Sequence, residues 1–124
     1  MALLIDTHVL AWLVTEPHRV SKAASAAVLD AGQELYVSGC IAWEYADLHA
    51  RRRLPDAADF PTVAEVLGLV LLDTPSELWR IAALLPDIHR DPMDCILIAH
   101  AIHADLTLVT ADAKMRSYPV RTIW

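Results

Sequence analysis

The sequence predicts an α/β domain with a mainly parallel sheet, and three observations support this prediction. The chain has 124 residues, of which 56% are hydrophobic, which is enough for one domain with its own core. Five short apolar runs are spaced along the chain, and stretches with helix start and stop signals lie between them. Strands that alternate with helices through short connections are typical of a parallel sheet. We therefore expect residues 1–124 to form a single domain.

The apolar runs are the predicted strands. Their bounds are residues 2–5, 35–37, 69–72, 106–109 and 120–123. Because the runs are mainly apolar, with polar residues only at Thr107, Arg121 and Thr122, we expect strands that are buried on both faces.

Capping residues and prolines mark the predicted helices. Ser21 can cap a helix over residues 22–31, which Gly32 would close. A later helix is expected to begin at Thr74, where a proline follows, and to reach about Leu85. Further helix starts are expected at Thr7, near Ser38 and close to Pro61.

The sharpest helix signal begins at Asp91. This residue fits the N-cap, Pro92 fits the first helical position and Asp94 the third. Residues 96–102 are then almost entirely apolar, so this helix is expected to be buried. Asp94 would lie where free amide groups and the helix dipole favour a carboxylate.

Composition excludes several classes of protein. Three glycines cannot build a dinucleotide-binding turn, a P-loop or a nucleophile elbow. The longest uncharged apolar run, residues 66–72, is far too short for a membrane span, and no signal-peptide pattern opens the chain. Cys40 and Cys95 follow no metal or redox spacing. We expect a cytoplasmic protein with reduced thiols.

Four acidic residues stand where structure alone gives little reason for them. Asp6 and Asp112 follow predicted strands at their carboxyl ends, the edge at which open parallel sheets bind ligands. Glu44 and Asp94 lie on predicted helices. Each acid could singly be a cap or a surface charge. Together they favour one shared crevice, provided that the first and fourth strands are neighbours.

Carboxylates gathered in one crevice need a cation. Two unit charges about 4 Å apart repel by several kcal/mol at intermediate dielectric. Oxygen ligands suit Mg²⁺ or Mn²⁺, and hydrolysis of a phosphodiester is typical of such sites. The net charge of −6, from 10 basic and 16 acidic residues, argues against simple charge-driven binding of nucleic acid.

The segments that carry the four acids form an ordered pattern. They are residues 4–10 (LIDTHVL), Ser38 with residues 43–44 (WE), residues 89–94 (HRDPMD) with 99–101 (AHA), and residues 109–112 (VTAD). This order and spacing resemble the PIN domain, specifically the VapC-type toxins of prokaryotic toxin–antitoxin pairs. The resemblance covers essentially the whole chain.

The resemblance implies a three-layer α/β sandwich, with a parallel five-stranded sheet flanked by helices. It also implies an Mg²⁺- or Mn²⁺-dependent endoribonuclease that leaves 5′-phosphate and 3′-hydroxyl ends, a homodimer, and a VapB-like antitoxin that blocks the site. The acidic quartet of the family falls on Asp6, Glu44, Asp94 and Asp112.

Neighbouring positions match the family pattern as well. Thr7 and Thr110 match hydroxyl positions beside the quartet, where they would support the acids or contact phosphate. Asp91 matches the acid of a D-P dipeptide, for which capping is the main expected role. Cys95 departs from the pattern, because relatives commonly carry Arg there.

Arginines and tryptophans are further candidates for contacts with RNA or partners. Arg51 returns to the helical face of Glu44 after seven residues and could lead RNA toward the metal. Arg90, Arg116 and Arg121 are weaker candidates. The tryptophans are expected to be core or interface anchors, and Trp79 and Tyr45 would suit a partner surface.

The histidines favour structural roles. His89, His100 and His103 could suggest a zinc site, but no H-E-x-x-H pattern supports it. His8, beside the predicted metal acids, could approach the substrate, but packing on the first helix is the favoured role.

Three other functions compete with the nuclease. A phosphotransferase of the haloacid-dehalogenase kind needs an acid at the position of His8. A receiver-like regulatory domain needs an acidic pair after the first strand, where Asp6 stands alone. A non-catalytic interaction domain would have no reason to keep all four acids.

Overall fold

The computed structural model describes residues 2–54, 56–89 and 91–124. Its strands are β1 (Ala2–Ile5), β2 (Glu34–Ser38), β3 (Val70–Leu72), β4 (Thr107–Val109) and β5 (Thr122–Ile123). Its α-helices are α1 (Thr7–Thr15), α2 (Lys22–Leu29), α3 (Gly39–Ala50), α4 (Phe60–Leu67), α5 (Leu78–Leu84) and α6 (Pro92–His103). Short 3₁₀ turns lie at Pro17–Arg19 and Met115–Ser117.

The strands form one parallel sheet in the order β3-β2-β1-β4-β5. Leu4 pairs with Tyr36 of β2 on one side and with Leu108 of β4 on the other. The strand order therefore reverses between β1 and β4, which is where doubly wound sheets open a crevice. The first and fourth strands are neighbours, as the predicted acidic crevice requires.

Helices flank this sheet, as predicted. The parallel pairs need crossover connections, which are right-handed almost without exception. That handedness places α1 to α4 on one face and α5 with α6 on the other. The contacts agree, because α1 touches both α3 and α4, and α5 packs mainly on α6. The result is the expected α/β sandwich.

The central strands carry the core. Leu3, Leu4 and Ile5 of β1 are fully buried, and so are Leu108 and Val109 of β4. Burial of such a side chain contributes about 1.5–3 kcal/mol.

The prediction of two-sided burial is wrong for β3, and it is also not met by β5, whose two residues are only half-buried. Val70 is 46% exposed and Leu71 is 53% exposed. This strand forms an edge of the sheet, and α5, the next helix along the chain, packs mainly on α6, so that α3 is the helix in main contact with β3.

Two helix boundaries differ from those predicted. α2 ends at Leu29 and not at residue 31, because the Asp30 backbone is extended and its carboxylate accepts the Gly32 N–H at 2.9 Å. α5 begins at Leu78 and not at Thr74. A proline after Thr74 disfavours the helical conformation at that residue.

The other helix starts were predicted correctly. Ser21 caps α2 through the Ala24 N–H, and Pro61 lies in the first turn of α4. Asp91 caps α6 through the Met93 N–H at 2.9 Å.

Among the residues that the structure describes, no helix is both long and apolar enough to cross a membrane.

Candidate active site

One cleft of about 480 Å³ lies where the strand order reverses. Asp6 follows β1, Glu44 lies on α3, Asp94 in the first turn of α6, and Asp112 in the loop after β4. All four side chains line the cleft. The remaining lining residues are His8, Val9, Trp12, Leu48, Asp91 and Ala111.

Asp6 is buried at the base of this cleft, with 8% of its surface exposed. One carboxylate oxygen accepts the Thr7 N–H at 2.7 Å, and the other accepts the Thr110 hydroxyl at 2.8 Å. Burial raises the pKa of Asp6, although both hydrogen bonds act in the opposite direction. The two threonines are thus placed directly beside this acid.

Glu44 is held by the hydroxyl of Thr7, which lies on the neighbouring helix α1. The Thr7 Oγ1 donates to Glu44 Oε1 at 2.5 Å. This bond ties α1 to α3, whose helices also contact one another. Glu44 is half-buried, so its carboxylate faces the cleft from a fixed position.

The pKa of Asp94 is strongly raised in the cleft. Burial, followed by the charges of Asp6 and Asp91, raises its pKa to about 7. A carboxyl group with this pKa is only partly ionised near neutral pH. The cleft therefore gathers more negative charge than its own surroundings neutralise.

His89 lies between two of the four acids. Its Nε2 is 2.8 Å from Asp94 Oδ2 and 3.0 Å from Asp112 Oδ2. Its Nδ1 accepts the Asp91 backbone N–H at 3.1 Å, so the ring proton is on Nε2, which donates to the carboxylates. The nitrogen of His89 and the carboxylate oxygens of Asp94 and Asp112 lie within 4.8 Å of one another.

The sequence interpretation missed this position of His89. The sequence does place His89 five residues before Asp94, in the segment that leads into α6, and this proximity could have indicated a contact between the two side chains. The backbone there is fixed by Tyr118, whose hydroxyl accepts the His89 N–H at 2.6 Å. The Cys95 thiol, in the first turn of α6, donates to the His89 carbonyl oxygen at 3.4 Å.

Asp112 is anchored in a different way from Asp94. Burial raises its pKa, but hydrogen bonds from His89 and from the Lys114 and Met115 amides outweigh that effect, so the pKa lies below the ordinary value. Thr110 links this acid to Asp6, because its hydroxyl accepts the Asp112 N–H at 3.1 Å and donates to Asp6.

The structure does not bring Arg51 to the cleft. Its guanidinium pairs with Asp47 on the same helix at 3.0 Å and is 68% exposed. Arg121 pairs with Asp105, also outside the cleft. Arg90 lies outside the described residues, and Arg116 is exposed and does not line the cleft.

The remaining histidines do not gather into a zinc site. His100 is buried and its Nδ1 is 2.9 Å from Ser38 Oγ, while His103 pairs with Glu77 at 3.0 Å. His8 is exposed and lines the cleft, and its ring centroid lies 6.2 Å from that of Trp12, so its side chain packs on α1 and also faces the cleft.

The aromatic residues divide between core, cleft and surface. Tyr45 is fully buried and donates to the Ala58 carbonyl at 2.7 Å, which contradicts its expected place on a partner surface. Trp43 and Trp79 are more than 60% exposed, at 62% and 63%. Trp12 packs on Trp124, with ring centroids 6.0 Å apart.

This arrangement suits the binding of a hard cation. Four carboxylates from separate elements face one cleft, and the structure supplies His89 as a shared hydrogen-bond donor. Carboxylate oxygens are the ligands that Mg²⁺ and Mn²⁺ prefer.

Comparison with known proteins agrees with this geometry. The family model of the PIN domain matches residues 3–120. A curated relative, Ribonuclease VapC22 of Mycobacterium tuberculosis, is 36% identical over 129 aligned residues, which cover 98% of this chain and 97% of that protein.

Solved structures share the fold at much lower identity. A chain of VapBC2 from Rickettsia felis, bound to a promoter DNA fragment, superposes with a TM-score of 0.72 at 14% identity and covers 98% of this chain and 97% of its own length. A chain of FitAB bound to the IR36 DNA fragment gives 0.63 at 18% identity, covering 97% and 92%. A chain of VapBC-1 from nontypeable Haemophilus influenzae gives 0.61 at 16% identity, covering 94% and 90%. The receiver and dehalogenase interpretations are therefore set aside, and the chain belongs to the PIN-domain family as a VapC-type protein.

Proposed function

We propose that this protein is an Mg²⁺- or Mn²⁺-dependent endoribonuclease and the toxin of a type II toxin–antitoxin pair. The observation that carries the proposal is the convergence of Asp6, Glu44, Asp94 and Asp112 on one cleft. A relative named as a ribonuclease, 36% identical over nearly the whole chain, supports RNA as the substrate.

The residues of the cleft fit a divalent cation. Burial and neighbouring carboxylates raise the pKa of Asp94 to about 7, so its ionisation is opposed until positive charge is supplied. The quartet would hold the ion, and Asp91 contributes further negative charge at the rim. When bound, such an ion polarises a phosphoryl oxygen and lowers the pKa of water.

The chain itself orients the acids for this purpose. Thr7 fixes Glu44, Thr110 fixes Asp6, and His89 holds Asp94 beside Asp112. From the residues that the structure describes, Glu44 Oε2 and Asp94 Oδ1 accept no hydrogen bond. These oxygens are available to a cation without breaking a contact that positions their side chains.

The proposed partners are a VapB-like antitoxin and a second copy of the chain. Similar folds occur in chains of VapBC2, FitAB and VapBC-1, which supports an antitoxin partner. Large apolar side chains on α3 and α5 also reach the surface, among them Trp43, Trp79 and Leu84. Apolar surface of this kind often marks contacts with other proteins. We propose that these contacts form in the cytoplasm.

A cleavage assay tests the nuclease. Purified protein is incubated with structured RNA in Mg²⁺, Mn²⁺ or EDTA, and Asp6→Asn and Asp94→Asn are compared with wild type. Loss of one ligand is expected to lower kcat/KM by at least about a hundredfold, and EDTA should abolish cleavage. Asp73→Asn is the matched control, because Asp73 follows β3 at the same sheet edge but does not line the cleft.

Equal cleavage by wild type and both quartet variants would refute the assignment of the site. Cleavage in EDTA would refute the metal requirement. The toxin role is tested separately by induced expression, with growth arrest expected, and relief expected when the small protein encoded beside it is co-expressed. Harmless expression of folded protein would contradict that role.

A further inference from the structure

A second, smaller groove adjoins the acidic cleft. It has a volume of about 120 Å³ and lies between α1 and the segment that follows α3. His8 and Trp12 line both the cleft and this groove. Glu16, Arg19 and Arg53 supply the charges of the groove. We call this feature the arginine groove.

The arginine groove and the cleft have opposite charge. The cleft is lined by five carboxylates, from Asp6, Glu44, Asp91, Asp94 and Asp112, and by neither Arg nor Lys among the described residues. The arginine groove has two guanidinium groups against one carboxylate. Among the described residues, the cleft lining offers a polyanion no Arg or Lys, and the arginine groove supplies two guanidinium groups directly past His8 and Trp12.

Arg19 is fixed in a geometry suited to phosphate. Its guanidinium carbon lies 4.4 Å from the centre of the Trp12 ring, which is a stacking contact of moderate strength. A guanidinium stacked on an aromatic face keeps its N–H groups directed outward in its own plane. The competing contact with Glu16 is long, 3.4 Å, and both side chains are about half exposed, at 50% and 44%. Exposed pairs of this kind contribute little.

Arg53 is available to a ligand. Its side chain is exposed, and it forms no ion pair with any residue in the described ranges. Its backbone is held, since the Arg53 N–H donates to the Leu48 carbonyl at 2.9 Å. Leu48 itself lines the acidic cleft. Arg53 is therefore placed beside the cleft with its charge unpaired.

We propose that the arginine groove binds a backbone phosphate of single-stranded RNA next to the scissile phosphate. This inference rests on the proposed nuclease function and adds the path of the substrate to it. The strand crosses Trp12, which lies six residues beyond Asp6 on α1, roughly 9 Å along the helix. Arg19 and Arg53 then bind the phosphate from two sides of the groove.

Charge favours RNA over an antitoxin segment as the occupant. A protein segment can enter the acidic cleft with its own basic side chains and needs no external cation. RNA has no positive charge, and this chain as a whole carries −6. Its phosphates therefore gain most from cations that continue directly from the cleft, and most of the affinity for single strands is electrostatic.

Fluorescence anisotropy with a short, labelled, single-stranded RNA tests the inference in the Asp94→Asn background, in which cleavage is prevented. Arg19→Gln and Arg53→Gln are each expected to weaken binding several-fold and to lower the slope of log Kd against log salt by about 0.7. Glu16→Gln is expected to tighten binding. Arg80→Gln is the matched control, since Arg80 also lies over an exposed tryptophan, Trp79, at 5.4 Å, but on α5, away from the groove.

The inference is overturned if the two groove variants bind RNA as tightly as the Arg80→Gln control. It is also overturned if they keep RNA affinity and lose only affinity for the antitoxin encoded beside the gene. Melting curves check that each variant is folded. If Arg19→Gln destabilises α1, Arg53→Gln alone tests the inference, because the Arg53 side chain is exposed. Failure of the nuclease proposal is a separate result, because it appears as absence of cleavage by wild-type protein in any metal.

Discussion

His89 shows how one residue can act on two of the four acids without being an acid itself. Its Nε2–H is shared between Asp94 and Asp112, at 2.8 Å and 3.0 Å. The Asp91 N–H occupies its Nδ1, which keeps the proton on Nε2. As long as that contact holds, His89 is a hydrogen-bond donor to the carboxylates and not a direct ligand. Its effect on a cation is to position the oxygens that bind it.

Replacement of His89 should therefore weaken metal binding. His89→Ala is expected to lower the affinity for Mn²⁺ by about tenfold, the lower end of the effect of such supporting residues, because Asp94 and Asp112 lose their shared donor. Isothermal titration calorimetry measures this, and His89→Gln, which retains an N–H donor, should recover part of the loss. His103→Ala is the control, since His103 pairs with Glu77 outside the cleft. Unchanged or tighter binding by His89→Ala would contradict the prediction.

The sequence predicted the acids of the cleft better than their supports. Asp6 and Asp112 follow strands, and Asp94 stands in a capped first turn. Each of them could singly be a cap, and it was their joint order along the chain that marked them as a site. The position of His89 depends on Tyr118, 29 residues further along the chain. The stacking of Arg19 on Trp12 likewise requires a 3₁₀ turn after α1 that no sequence pattern indicated.

At the scale of elements, the relative placement of α3 and α6 decides whether Glu44 meets Asp94. These helices contact one another, and a buried hydrogen bond links Ser38, at the start of α3, to His100 on α6 at 2.9 Å. The sequence predicted a helix start near Ser38, but the Ser38 side chain does not cap the helix. The Ser38 hydroxyl instead links α3 to α6 through His100. Cys40 Sγ also lies 3.1 Å from this hydroxyl.

Loss of the Ser38 hydroxyl should destabilise the fold. Ser38→Ala leaves the imidazole of His100, which is 2% exposed, without its partner, and an unsatisfied buried polar group costs about 1–3 kcal/mol. Urea unfolding measures the change. Ser117→Ala is the control, because its hydroxyl contacts the Ala113 carbonyl at an exposed position, and it should change stability by less than about 0.5 kcal/mol. Equal stability of the two variants would show that the buried bond contributes nothing.

The predicted end of α2 was wrong because a side-chain hydrogen bond replaced the backbone hydrogen bonds of a further helical turn. The Asp30 carboxylate binds the Gly32 N–H and ends α2 early. The predicted burial of β3 failed for a different reason, since it depends on which helix covers the strand. The α/β class followed from the alternation of elements alone. The strand order did not, because the sequence analysis took the pairing of the first and fourth strands only as a condition.

At the scale of the whole molecule, the fold places carboxylates where ionisation is unfavourable. Burial raises the pKa of both Asp6 and Asp94. The four quartet acids account for much of the net charge of −6, because the other residues together carry −6 + 4 = −2. A bound divalent cation would offset this local charge and should stabilise the folded protein by mass action.

The metal-free protein should consequently lose stability as pH rises. The pKa of Asp94 in the folded protein is about 7, above its ordinary value of 3.8, so the folded state holds this proton more tightly than the unfolded state. The resulting stabilisation is complete below about pH 4 and is lost as pH rises through about 7. Asp94→Asn removes the contribution of Asp94 to this dependence and should raise the unfolding free energy in EDTA at about pH 8 by about 1–3 kcal/mol. The same variant should lose most of the gain in melting temperature that Mn²⁺ gives to wild type.

Urea unfolding at about pH 6 and about pH 8, with EDTA or Mn²⁺, measures both effects. Asp73→Asn is the control, because Asp73 is exposed and outside the cleft, and it should change stability by less than about 0.5 kcal/mol. An Asp94→Asn variant that is less stable than wild type in EDTA at the higher pH would contradict the prediction. We expect the variant to be more stable than wild type without metal and to gain no stability from Mn²⁺. This result would mean that ionisation of Asp94 destabilises the metal-free fold and that the bound cation removes this cost.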